Sequence, residues 1–171
     1  MVPTTRKDSI DRFIEASLPL FPGVDPETEG VIDRIHKVAK HAKRLTEGVS
    51  KRFGLNVGEY NTLVKLRVAP DHQLPAGDLA EHLDLSTGAM TNRLDGLEEQ
   101  GLVTRERAVA DRRSVLVTLT PKGLDTLIHT VEAAAKEETA LVSAITDAQR
   151  RQLNGLLRTL VLSIEEPDAT D

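Results

Sequence analysis

The spacing of apolar residues changes period at Gly101, and that change constrains the fold of this 171-residue chain more than any other feature. Before it, Met90, Leu94 and Leu97 recur at steps of four and three, the mark of one helix face, in a segment that reads as helix over residues 86–100. A shorter helix, residues 76–82, precedes it across the tight connection Leu83-Asp84-Leu85. Gly101 stands where a helix C-cap glycine belongs. After it, residues 102–107 and 114–119 are alternating runs rich in β-branched side chains, and the polar connector 108–113 makes them a β-hairpin.

The flanking segments are helical. Asp25-Pro26 opens a long helix, with Asp as N-cap and Pro in the first turn. Val31, Ile35, Val38, Ala42, Leu45 and Val49 draw one seam along it, and Gly54 stops it. Arg34, Lys37, Lys40, Lys43 and Arg44 fall on the opposite face, which reads as solvated. A shorter helix over residues 8–18 precedes the breaker Pro19-Leu20-Phe21-Pro22-Gly23. Asn56-Val57-Gly58-Glu59 is a capping box for a third helix, and residues 69–75 read as loop. Thr120-Pro121 and Thr146-Asp147-Ala148-Gln149 open two more helices, the last with Leu153, Leu156, Leu157, Leu160, Val161 and Ile164 on one face. Residues 165–171 form a short acidic tail.

The expected fold class is therefore mainly α with a small β-hairpin (α+β). Residues 55–120 form the central module, with N-terminal helices over 1–54 and C-terminal helices over 121–171. The apolar stripes at both chain ends exceed what a small module can bury, so they are expected to build a dimerisation domain with a second copy.

Hydrophobic residues make up 39% of the chain but aromatic ones only 2%, so the core must come from aliphatic side chains, which suits helix packing. With no cysteine, disulfides and thiolate chemistry are excluded. No apolar run follows Arg6-Lys7 and none approaches a membrane span, so the expectation is a cytoplasmic chain without membrane attachment. The net charge of −5 gives no support for nucleic-acid binding, but residues 105–113 carry four arginines against two acids. Phosphate contact depends on such local placement.

Two short helices across a tight turn, followed by a hairpin, describe a winged helix-turn-helix. Its second helix must present a small, polar first turn to the major groove while burying its other face. Ser86, Thr87, Gly88, Ala89, Thr91, Asn92 and Arg93 meet that requirement, with Asn suited to adenine and Arg to guanine. The same residues also suit an ordinary amphipathic helix with a serine cap. Asp111, Arg112 and Arg113 lie at the hairpin tip, where an arginine suits the narrow minor groove and Asp111 could orient it. A solvated polar turn is the alternative there.

Residues 85–98 (Leu-Ser-Thr-Gly-Ala-Met-Thr-Asn-Arg-Leu-Asp-Gly-Leu-Glu), then Gly101-Leu102-Val103, Asp111-Arg112-Arg113-Ser114 and Leu119-Thr120-Pro121-Lys122-Gly123, resemble the MarR family of bacterial regulators in order and spacing. The resemblance covers about residues 26–164. It implies a homodimer binding double-stranded DNA, with one helix per protomer in the major groove and Arg112 or Arg113 in the minor groove. The extra N-terminal helix and residues 89–95 are similar to the urate- and aconitate-responsive, PecS-like branch. That likeness implies a small anionic or aromatic effector near Arg93 and Arg105. The branch's amino-terminal tryptophan has no counterpart here, Phe13 being the nearest aromatic, and Asn61 stands where the branch has aspartate.

No metal site is expected from His36, His41, His72, His82 and His129, since His36 and His41 are five apart and share no face. With no catalytic constellation or cofactor motif either, the chain reads as a regulator and not an enzyme. A helical scaffold using its winged domain for protein contacts is the other reading.

Overall fold

The computed structural model describes residues 6–107 and 114–165. In chain order it has α1 (Ser9–Ser17), α2 (Pro26–Arg52), α3 (Val57–Val68), β1 (Gln73–Pro75), α4 (Ala76–His82), α5 (Thr87–Glu99), β2 (Val103–Arg107), β3 (Val115–Leu119), α6 (Pro121–Val142) and α7 (Asp147–Glu165). Two compact units result. One holds residues 40–135; the other holds the described residues up to 39 and from 136 onward.

The 40–135 unit is organised around Leu63, Leu66, Leu79, Met90, Leu94, Leu97, Val103 and Val117, all essentially inaccessible. The sheet order is β1-β3-β2, antiparallel throughout, with Arg105 opposite Val117 and Leu74 also opposite Val117. The expected hairpin is thus a three-stranded sheet. The segment read as loop over 69–75 contains a 3₁₀ turn, Pro70–His72, and then β1. Three residues ending in proline carry no alternation, and β1 exists because β3 offers it an edge.

Local signals set the element ends. Asn56 accepts from the Glu59 N–H at 2.9 Å while Glu59 accepts from the Asn56 N–H at 2.8 Å, the reciprocal capping box. Gly54 and Gly101 take φ of +77° and +71°, the left-handed values that end α2 and α5. Thr120 caps α6 by accepting from the Gly123 N–H at 2.9 Å.

Among the described residues, the Ser50 hydroxyl is buried without a hydrogen-bond partner. Removing it relieves a desolvated group and adds a better helix former. Ser50→Ala should raise stability by roughly 1 kcal/mol in thermal denaturation; a lower melting temperature would show that the hydroxyl is satisfied.

In the other unit, Asp8 caps α1 by accepting from the Ile10 and Asp11 N–H groups at 2.7 and 2.9 Å. Arg34 of α2 reaches Asp8 at 3.0 Å and also Asp11, and Lys37 donates to Ser9. The α2 face read as solvated is therefore engaged by α1 at Arg34 and Lys37. The cause is non-local, a second helix bringing carboxylates to the stripe. The Asp11 N–H, then the Arg34 guanidinium and the Ile10 N–H, hold the Asp8 carboxyl at about 2 against an ordinary 3.8, with desolvation opposing. A depressed folded-state value stabilises above the unfolded one and is lost as pH falls. Hydrogen-exchange protection of α1 should thus be full above pH 3.8 and disappear toward pH 2; protection unchanged across that window would refute the role of Asp8.

Along α7, Leu153, Leu156, Leu157, Leu160, Val161 and Ile164 are all exposed, as are Val31 and Val38 of α2. Among the described residues no helix is long and apolar enough to cross a membrane.

Candidate nucleic-acid interface

The site is built on α4, α5 and the turn between them. Leu79 and Ala80 of α4 and Met90, Leu94 and Leu97 of α5 bury one side of the pair. The turn closes through the Leu85 N–H donating to the Ala80 carbonyl at 2.8 Å, with Asp84 in the left-handed region at φ 51°. Aspartate tolerates that conformation better than most residues, which keeps the connection to three residues.

Burying Met90, Leu94 and Leu97 turns the first turn of α5 outward. Ser86, Thr87, Gly88, Ala89, Thr91 and Asn92 are all exposed. The Ser86 hydroxyl accepts from the Ala89 N–H at 3.3 Å, and Thr91 donates its hydroxyl to the Thr87 carbonyl at 2.9 Å. The N–H groups that start a helix have no intrahelical acceptor, so this turn offers donors and a positive dipole end to an anion. Nothing lies within 4 Å of where a Gly88 side chain would stand, so its backbone is open to approach. The arrangement can hydrogen-bond base edges through Thr and Asn while its backbone meets a phosphate.

Arg93 and Arg105 have different partners. Arg93 lies half-buried against Gly58 of α3. Arg105, on β2, is bound to two acids of α5: 2.7 Å to Asp95 and 2.6 Å to Glu98, with a second contact to Glu98 at 2.9 Å. Glu98 above all, and then Asp95, hold the Arg105 guanidinium protonated, above its ordinary range. The charge of Arg105 is therefore spent tying β2 to α5. Residues 93 and 95 are two positions apart, about 200° around a helix, so the partners of the two arginines stand on different flanks of α5. Asn61 is exposed on α3, and Phe13 is exposed on α1 in the other unit. Asp111, Arg112 and Arg113 lie outside the described residues. Asp95 and Glu98 were missed as partners, although acids at i and i+3 beside an arginine-bearing strand are the available signal.

A helix-turn-helix with an exposed first turn on its second helix, followed by a winged sheet, defines a DNA-binding regulator of the winged-helix class. The sequence model of the MarR family matches residues 55–115. The HTH-type transcriptional regulator PecS of Dickeya dadantii is 28% identical over 80% of this chain and 82% of its own. An HTH-type transcriptional repressor of Mycobacterium tuberculosis is 33% identical over 63% of this chain and 76% of its own. The structure of Sco3205, a MarR family regulator from Streptomyces coelicolor in complex with DNA, matches with TM-score 0.68 at 22% identity, over 82% of this chain and 89% of that one. The chain belongs to the MarR family of transcriptional regulators.

Proposed function

We propose that this protein represses transcription in the cytoplasm as a homodimer on a pseudo-palindromic operator. The α5 first turn enters the major groove of each half-site, and Arg112 or Arg113 of the wing enters the minor groove. The observation that carries the reading is the exposure of Ser86, Thr87, Gly88, Ala89, Thr91 and Asn92 together, opposite the buried Met90, Leu94 and Leu97. The apolar, exposed face of α7 supports a second copy, because six large aliphatic side chains in one stripe are otherwise left in water. The fold shared with a regulator solved on DNA supports the duplex as partner.

A small anionic or aromatic effector lowers DNA affinity in this reading. The resemblance of residues 89–95 to an effector-responsive branch of the family supports it, and so does Arg93, which makes no ion pair among the described residues. Arg105 serves such a site by fixing β2 against α5 through Asp95 and Glu98, and Asn61 remains its other candidate contact. Footprinting on the gene's own upstream region, with and without a panel of small anions, tests both parts. Protection of two half-sites about one helical turn apart is expected. A folded protein that gives no protection at low salt would favour the scaffold reading.

A further inference from the structure

The side chain of Arg93 lies where a glycine on another helix leaves room for it. A methyl group on Gly58 would stand 2.6 Å from Nη2, 2.7 Å from Cζ and 3.0 Å from Nε of Arg93. Three atoms of a planar group at nearly equal distance mean that the guanidinium lies with its face toward the Gly58 Cα. Gly58 is itself held, because its carbonyl accepts from the Thr62 hydroxyl at 2.9 Å and Thr62 is fully buried. Along the same flank of α5, a side chain on Gly96, about one turn further, would meet Glu59 at 3.5 Å, and Gln100, about two turns further, reaches Glu59 at 3.5 Å. Residues 93, 96 and 100 thus line the first turn of α3. Among the described residues Arg93 has no ion pair or hydrogen bond there, so shape and not charge holds it.

We infer that Gly58 is a specificity-determining positioning residue, whose missing side chain seats Arg93 flat against α3 and fixes the direction from which its donor fork meets DNA. The inference rests on α5 being the DNA-reading helix. A guanidinium recognises a base edge or phosphate through two parallel donors in one plane, so its orientation matters as much as its charge. A side chain at position 58 must push the guanidinium off the helix, because the contacted carbon belongs to a fixed backbone. The positive charge survives that displacement and the orientation does not. Gly58 should therefore govern discrimination between sequences and leave the general attraction to phosphate unchanged.

The test compares wild type, Gly58→Ala, Arg93→Lys, Arg93→Ala and the Gly58→Ala/Arg93→Ala double variant. Each is titrated by fluorescence anisotropy against its own upstream duplex and a scrambled one, across salt, and each is melted. Gly58→Ala and Arg93→Lys should each lower affinity for the upstream duplex about tenfold, with affinity for the scrambled duplex and the salt slope unchanged. On the Arg93→Ala background, Gly58→Ala should change DNA affinity by no more than about twofold and should raise the melting temperature, since alanine is the better helix former once the seat is empty. Equal effects of Gly58→Ala on both backgrounds would overturn the inference by assigning them to α3 itself. Unchanged preference in Gly58→Ala would overturn it as well. A wild type that does not prefer its upstream duplex would sink the DNA reading and the specificity role together, while the melting cycle would still decide whether Arg93 occupies the seat.

Discussion

Gly123→Ala should cost the fold about 3 kcal/mol and lower the melting temperature by roughly 5–10 °C, although alanine is the better helix former. Gly123 is buried in the first turn of α6, and a methyl group there would stand 2.0 Å from the Leu102 carbonyl oxygen and 2.9 Å from the Leu119 Cδ1. A leucine methyl can rotate away. The carbonyl has far less freedom, because it accepts from the Thr120 N–H at 3.1 Å and the Thr120 hydroxyl at 3.1 Å. Its residue is fixed in turn by the Leu102 N–H donating to Leu97 at 2.9 Å. Relief of the overlap must break the Thr120 cap or separate α6 from the start of β2. Either route loosens the junction where the end of α5, the wing and α6 meet. The measurement is two-state thermal or urea unfolding, and an unchanged or higher melting temperature would show that α6 does not approach Leu102 this closely.

That junction also marks the limit of what the sequence discloses. The Thr120 cap, the Gly101 stop and the change of period after it are local patterns, each written within a few residues, and the structure has all three. The overlap that Gly123 avoids is not local: nothing in Pro121-Lys122-Gly123 says that a carbonyl some twenty positions earlier will lie against it. The same distinction holds at the site. The exposure of Thr87, Gly88, Thr91 and Asn92 follows from the period of Met90, Leu94 and Leu97, so that face was legible. The partners of Arg93 and Arg105 were not, because Gly58 and the pair Asp95 and Glu98 come to them through packing of α3 and β2 on α5. Strand β1 belongs with these, since it is a strand only by virtue of its neighbour.

Thr87→Glu should separate folding from function more sharply than removal of any side chain. Thr87 is exposed at the first position of α5, and what α5 takes from it is its backbone carbonyl, the acceptor of the Thr91 hydroxyl, which glutamate keeps. A carboxylate in a first turn opposes the positive end of the helix dipole, so stability should be unchanged or rise by about 0.3–1 kcal/mol. On the proposed reading the same carboxylate faces phosphates in the major groove. Like charges across an interface cost several kcal/mol, so affinity for the upstream duplex should fall at least about 100-fold. Thr87→Gln, neutral and of similar size, should fall much less and so separate repulsion from loss of the hydroxyl. Anisotropy titration beside a melting curve reads both quantities. Full DNA affinity in Thr87→Glu would place the first turn of α5 away from the duplex, and with it every base contact assigned to that helix.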